Sequence, residues 1–279
     1  MGILDRYTGY VSKHLNENEF ELLYKDELQI DLLENEYLIV EGADGTVVDY
    51  FKMKGGRLQH INFPILENEY SGQLKPRNPQ QYCAWDMLKD PDLGIKLITG
   101  CFGSGKSIAC IVGALEAVLK GKFEKIVFVR NNVQVKDTDQ LGSLPGTSDD
   151  KMLPYLMPVA DHTGGIDGVR RLIEAGQLEV IPLGFLRGRS IRNSIIYSME
   201  SENLSKEHIQ LLMGRVDEGS QLWLDGDFKQ RDKASFEKSQ GLETMVDALK
   251  GDPLFGYVHL VKSERSKVAA LADKLDGGE

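Results

Sequence analysis

Residues 100–107 read Gly-Cys-Phe-Gly-Ser-Gly-Lys-Ser, directly after the apolar run 95–98. The pattern G-x-x-x-x-G-K-[ST] admits few folds, because it needs a strand to deliver the loop and a helix to leave it. Glycines let successive backbone N–H groups turn inward around an anion. Lys106 then reaches the β- and γ-phosphates, and the Ser107 hydroxyl faces Mg²⁺. The helix expected over 106–119 points the positive end of its dipole at the same phosphates. Chance gives this pattern in roughly one chain in a hundred of this length. Gly100, Gly103, Ser104, Gly105, Lys106 and Ser107 are therefore expected to hold the phosphates of a nucleotide.

The rest of the chain supplies that setting. Strands are expected over 95–99, 125–130, 178–182, 194–198, 220–224 and 257–261. Helices are expected over 80–89, 106–119, 168–175, 205–215, 241–249 and 266–274, with Ser205 as an N-cap. Such alternation implies an α/β fold with a parallel sheet covered by helices on both faces. Residues 1–76 differ in texture. Short alternating stretches separated by Gly42-Ala-Asp-Gly45 and Gly55-Gly56 predict a small β-rich N-terminal domain, a meander of antiparallel strands. Lys75-Pro76-Arg77-Asn78-Pro79 reads as the hinge to a second domain over 77–279. A chain of 279 residues accommodates both.

The net charge is −10. A protein built to coat nucleic acid usually shows a basic surface, although Arg187, Arg189 and Arg192 do cluster. The three cysteines, Cys83, Cys101 and Cys110, lack CxxC spacing and the five histidines lack ligand spacing, so no zinc site is expected. Without an 18-residue apolar run or a charged-then-apolar leader, neither a membrane span nor secretion is expected. A reducing, cytoplasmic setting follows as the expectation.

Three clusters outside the loop carry chemistry. Asn78-Pro79-Gln80-Gln81 lies about 20 residues before the loop, and the Gln81 amide has the geometry to pair with the N6/N7 edge of adenine. The bland alternative is a polar residue at a helix start. Leu222-Trp-Leu-Asp-Gly-Asp-Phe-Lys-Gln-Arg-Asp232 ends a strand in acids and a glutamine, suited to the γ-phosphate or to positioning water. Arg265 follows the last strand, where a cation reaches phosphate within one subunit or across two. A solvated arginine is the alternative there.

Taken together, the wording closely resembles the PhoH-like ATPase family. The residues concerned are Asn78-Pro79-x-Gln81, the loop 100–107, Arg130, Leu141-Gly-Ser-Leu-Pro-Gly146, Lys151-Met-x-Pro-Tyr-Leu156, Phe185-x-Arg-Gly-Arg-Ser190, Glu200-x-x-Asn-Leu204, Arg215, Gly226-Asp-x-x-Gln-x-Asp232, Ser239-x-Gly-Leu242 and Glu264-Arg-Ser266. The resemblance covers about residues 75–275 and is nearest the ATPase half of members that carry a PIN nuclease, for which 1–76 is too short. Short stand-alone versions of this kind are common in phages, whose proteins work in the bacterial host cytoplasm.

The resemblance implies a P-loop NTPase with a RecA-like, helicase-type core. It implies ATP/ADP and Mg²⁺ as ligands, RNA or single-stranded DNA as partner, and a homo-oligomeric ring such as a hexamer. Glu200 aligns with the glutamate that polarises the attacking water, Asp227 and Gln230 with the sensor motif, and Arg265 with a late arginine that contacts the γ-phosphate.

The chain departs from the family at one important place. Where the family reads Asp-Glu-Ala-Gln-Asn, this sequence reads Met199-Glu-Ser-Glu-Asn203, and a thioether cannot hold a hard, oxygen-seeking cation. Either Mg²⁺ is held only by Ser107, phosphates and water, and hydrolysis is slow, or another carboxylate compensates. Asp225, where the family usually has threonine, ends a strand expected between the loop strand and the acidic strand and is the candidate, with Ser107, for the metal. Arg187 and Arg189 offer forked guanidiniums to a neighbour's nucleotide or a threaded strand, or else form salt bridges within the domain. Residues 143–161 read as a functional insertion near the site or a subunit interface. The functional expectation is ATP binding with hydrolysis, coupled to nucleic-acid remodelling. The alternative is a nucleotide-binding regulatory or assembly module with vestigial hydrolysis.

Overall fold

The computed structural model describes residues 7–130, 156–228 and 240–264. Its centre is a six-stranded, wholly parallel sheet built from β7 (Ile95–Gly100), β8 (Lys125–Arg130), β9 (Leu178–Pro182), β10 (Ser194–Ser198), β11 (Gln221–Gly226) and β12 (Phe255–Leu260). Their order across the sheet is β12-β7-β11-β10-β8-β9. Two strands, β11 and β10, therefore stand between the loop strand and β8, the next strand in sequence, as in a RecA-like P-loop NTPase. The helix expected over 266–274 lies outside the described residues.

Side-chain alternation assigns each strand residue to one of two cores. Ile98, Phe128, Tyr197, Trp223 and Val258 face a cluster that includes helices α2 (Pro79–Lys89) and α3 (Lys106–Leu119). Leu97, Val127, Ile196, Leu222, Leu224 and Tyr257 face the opposite cluster with helices Lys206–Met213 and Gly241–Leu249. α3 forms because Ala109, Cys110, Val112, Ala114 and Leu115 give it an apolar surface that the sheet, α2 and residues 66–68 bury together. α2 starts cleanly at the Asn78 N-cap, whose side chain accepts from the Gln81 N–H, with proline in the first turn. Ser205 likewise caps its helix.

The N-terminal residues form β1 (Tyr10–His14), α1 (Glu17–Tyr24), β2 (Tyr37–Glu41), β3 (Val47–Lys54) and β4 (Arg57–His60) in one sheet of order β1-β2-β3-β4. Strands β2 to β4 pair antiparallel, as a meander should. β1 does not: it runs parallel to β2, because α1 carries the chain back before β2 begins. A two-stranded piece, β5 (Leu66–Asn68) with β6 (Gly72–Leu74), lies against α3. Tyr37, Ile39 and Leu66 join the same hydrophobic cluster as α2 and α3, and the Tyr37 hydroxyl donates to Asp86 at 2.9 Å. This part also covers the outer side of β12. The His259 N–H donates to the Thr8 carbonyl at 2.9 Å, and Asn35 Nδ2 donates to the Phe255 carbonyl at 3.3 Å.

Candidate nucleotide site

The phosphate loop leaves β7 at Gly100 and enters α3 at Lys106, and the chain holds it from three directions. Gly100 lies so close to β12 that a Cβ there would stand 2.4 Å from the Leu260 carbonyl oxygen, so only glycine fits. Gly105, the N-cap of α3, has a φ of +92°, in the left-handed region that glycine enters without steric cost. From α2, the buried Gln81 donates Nε2 to the Ser104 carbonyl at 2.9 Å, and its Oε1 accepts from the Arg77 N–H at 2.7 Å. Beyond β12, the Glu264 N–H donates to the Gly103 carbonyl at 2.9 Å, and its carboxylate accepts from Asn78 Nδ2 at 2.9 Å.

This corrects the expectation for Gln81. Each end of its amide bonds a backbone group of the protein and the side chain is 3% exposed, so it braces the loop from inside the fold and does not face a base. Inside the loop, Lys106 Nζ donates to the Cys101 carbonyl at 3.3 Å. Ser104 Oγ is buried with no hydrogen-bond partner. An orphaned hydroxyl and an ammonium resting on a carbonyl are groups that a bound phosphate would satisfy.

Opposite Ser107 stands Asp225, one residue before the end of β11 and wholly buried. The alternation that turns Trp223 toward α3 turns Asp225 the same way. Its carboxylate accepts from the Tyr197 hydroxyl at 2.9 Å and from the Glu200 N–H at 2.7 Å, and the Ser107 hydroxyl lies near enough to favour its ionised form. Burial pushes this carboxyl above the usual range, while those hydrogen bonds and the Lys106 charge pull it back. A divalent cation at Ser107 would favour the ionised form outright. Met199 follows β10 at 4% exposure, packed in the α3-side core. The carboxylate that meets the loop serine thus comes from the strand beside the loop strand.

Three further acids gather at this end of the sheet. Glu200 has a φ of +52°, opens the short 3-10 turn Ser201–Asn203, and stands 3.5 Å from Arg130 with an exposed side chain. Glu202 accepts from the Asp227 N–H at 3.2 Å. Burial first, then the charges of Asp225 and Glu200, pushes the Glu202 carboxyl up to about 7. Asp227 is itself buried. Among the described residues no group of three His, Cys, Asp or Glu side chains is disposed to hold a metal by itself. Gln230, Arg265 and residues 143–155 of the expected insertion lie outside the described residues.

Arg189 does not belong to this site. Its guanidinium holds Glu179 at 2.7 and 3.4 Å, and Glu179 also binds Lys125. Glu179 is near the start of β9 and Lys125 starts β8, so Arg189 lies at the end of the sheet away from the loop. The reason is topological: after the turn Leu183–Leu186 the chain must return to the bottom of the sheet to begin parallel β10. Arg187, exposed on that return, has no side-chain partner among the described residues and is remote from its own chain's loop, because β9 is the outermost strand. Conversely, Tyr197 and Glu264 organise the site and escaped the reading of its candidates. Tyr197 shares the face of Asp225 and pairs with Trp223, two residues before it, so its hydroxyl reaches along the sheet to the carboxylate. Glu264 stands in the sequence only as part of the Glu264-Arg-Ser266 stretch of the resemblance, with no role attached to it.

Comparison with known proteins bears on the family of the chain. The family model described as PhoH-like protein matches residues 73–273. Protein PhoH2 of Thermobispora bispora is 34% identical over 205 residues, covering 72% of this chain and 47% of that protein. Protein PhoH2 of Bacillus subtilis is 29% identical over 293 residues, covering 97% of this chain and 64% of that protein. The chain thus spans about half to two thirds of the length of these curated relatives. Among solved structures, the Pif1 helicase of Candida albicans aligns over 73% of this chain and 44% of that one, at 15% identity and a TM-score of 0.35, a distant likeness.

Proposed function

This chain belongs to the PhoH-like family, and on that premise we propose that it binds and hydrolyses ATP with Mg²⁺ held by Ser107 and Asp225. The observation that carries the reading is the placement of the buried Asp225 carboxylate beside the loop serine, Ser107, whose hydroxyl favours its ionised form. Both are hard oxygen donors, the kind Mg²⁺ takes beside phosphate oxygens and water. When bound, the cation would neutralise charge building on the transferred phosphoryl group.

The chain's own groups do the remainder. The inward N–H groups of Gly103, Gly105 and Lys106 cradle the phosphates, and Lys106 turns from the Cys101 carbonyl to the β- and γ-oxygens. Glu200 orients and polarises the attacking water. Its backbone is fixed by the 2.7 Å hydrogen bond to Asp225, so metal site and water site are set by one carboxylate. Asp227 and Gln230 sense the γ-phosphate, and Arg265 contacts it in cis or from a neighbour in a homo-oligomeric ring. Hydrolysis is coupled to remodelling of RNA or single-stranded DNA.

A second reading rests on Met199: a nucleotide-binding regulatory or assembly module whose hydrolysis is vestigial. Phosphate release measured with and without RNA or single-stranded DNA separates the two, with Lys106→Ala as blank. Turnover above the blank that nucleic acid stimulates supports the first. Tight nucleotide binding with release no faster than the blank supports the second.

A further inference from the structure

A concavity lies at the opposite end of the sheet from the phosphate loop. It is a half-open cleft of about 690 Å³ between the starts of β7 and β11 and the far ends of α2 and α3. Its walls are largely apolar, with Leu66, Leu88, Ala117, Phe123, Trp223 and Leu254 among them. That volume and lining suit a small organic molecule.

The charges around it are unevenly balanced. Every carboxylate on its rim already has cationic partners: Asp90 holds Lys52 at 2.5 Å and Lys54 at 3.2 Å, and Asp92 holds Lys54 at 2.5 Å. Glu116 holds Lys120 at 2.8 Å and Lys89 at 3.3 Å. Two lysines of the lining have no carboxylate. Lys96, 2% exposed, donates to the Leu88 carbonyl at 2.7 Å and lies 4.9 Å from the centre of the Trp223 ring. Lys122, exposed at the mouth, has no side-chain partner among the described residues.

Burying an ammonium without a counter-ion is unfavourable, and the group responds by shedding its proton. Burial pushes Lys96 down to about 7. The charges of Lys52 and Lys122 push the same way, and Asp90 and Asp86 oppose them. A leucine or methionine would fill this place in β7 at no electrostatic cost, so the lysine calls for a purpose that packing does not supply.

We propose that this cavity is a binding site for a small amphiphilic carboxylate, its head between Lys96 and Lys122 and its hydrocarbon or aryl body against Trp223, Leu88 and Ala117. The site is separate from the nucleotide site and does not rest on the function proposed for it. The ligand supplies the counter-ion that the fold withholds from Lys96, and the amine takes up a proton as the carboxylate arrives.

The test uses the full chain with its phosphate loop saturated with ADP, titrated calorimetrically with decanoate, 4-phenylbutyrate and the neutral analogue 1-decanol. Decanoate is expected to bind at one site at least tenfold more tightly than decanol. At pH 8, buffers of different ionisation enthalpy should reveal uptake of a proton. Lys96→Met should abolish both the preference for carboxylate and the proton uptake. Lys122→Ala, at an exposed position that does not threaten folding, should weaken decanoate several-fold and leave decanol unchanged. Ala117→Phe, which fills the cavity, should remove binding of every probe. Absence of carboxylate binding, equal affinity for decanoate and decanol, or wild-type behaviour of Lys96→Met and Lys122→Ala would each overturn the proposal.

Discussion

Asp225 on β11 accepts a hydrogen bond of 2.9 Å from the hydroxyl of Tyr197 on the adjacent strand β10, so the acid facing Ser107 is aimed from a neighbouring strand. Asp225→Ala removes that acceptor and orphans the Tyr197 hydroxyl and the Glu200 N–H. Mg²⁺-dependent tightening of nucleotide binding should vanish. Stability should fall by about 1–3 kcal/mol, the range for an unsatisfied buried donor. Nucleotide titrations with and without Mg²⁺, beside thermal unfolding, check both.

Met199→Asp would restore the family's acid in this chain. Here the position is buried in an apolar core. A second carboxylate near Asp225 meets desolvation and like charge together. We expect destabilisation of about 3 kcal/mol, several degrees in melting temperature, with no gain in phosphate release. A several-fold rise in turnover would mean that Asp225 has not taken over the metal.

Gln81→Ala should act through the loop's shape. It frees the Ser104 carbonyl and the Arg77 N–H, so nucleotide affinity should fall about tenfold, equivalent to roughly 1.4 kcal/mol. ATP, GTP and CTP should suffer alike, since the amide is not reading a base. A loss confined to ATP, seen in competition titrations, would restore Gln81 to adenine.

Lys96 makes stability depend on pH with a definite sign. Its folded value, about 7, is below its ordinary 10.5, so between those values the unfolded chain binds more protons and stability rises with pH. The penalty is fully present below about pH 7 and is relieved toward pH 10. Its full span is on the order of 5 kcal/mol. Lys96→Met should be more stable than wild type at pH 7 and lack this slope in denaturant unfolding at a series of pH values.

The two loop arginines should separate cleanly. Arg189→Ala breaks a half-exposed two-pronged contact with Glu179 and should lower stability by about 1 kcal/mol. Arg187→Ala should leave the melting temperature unchanged and reduce the stimulation of phosphate release by RNA. Equal effects of the two on RNA stimulation would contradict a role in contacting RNA for Arg187 alone.

Much of the core was legible because its signals are local. Strands 125–130, 178–182 and 194–198 and helix 106–119 fold as their runs of apolar residues imply. β11 continues to Gly226, beyond its apolar stretch, because Asp225 and Gly226 pair with Ile98 and Thr99 of β7 in the middle of the sheet. Pairing partners far away in sequence decided what local reading missed. They committed the Gln81 amide to the loop, tied Arg189 to Glu179, and set β1 parallel to β2. Nothing in the sequence around Lys96 marks it. A lysine within an apolar strand reads as one that stretches to water, and only the packing of α2 and Trp223 around it shows that it does not.

The contacts of Thr8 and Asn35 with β12 bear on how this protein can be divided. A chain begun near residue 77 would lose those partners and present the margin of β12 bare, a ready template for joining other chains edge to edge. Residues 7–60 are thus more than an appendage to the nucleotide-binding body. They are its selvedge, the finished border that keeps a parallel sheet from growing past the strand beside its phosphate loop.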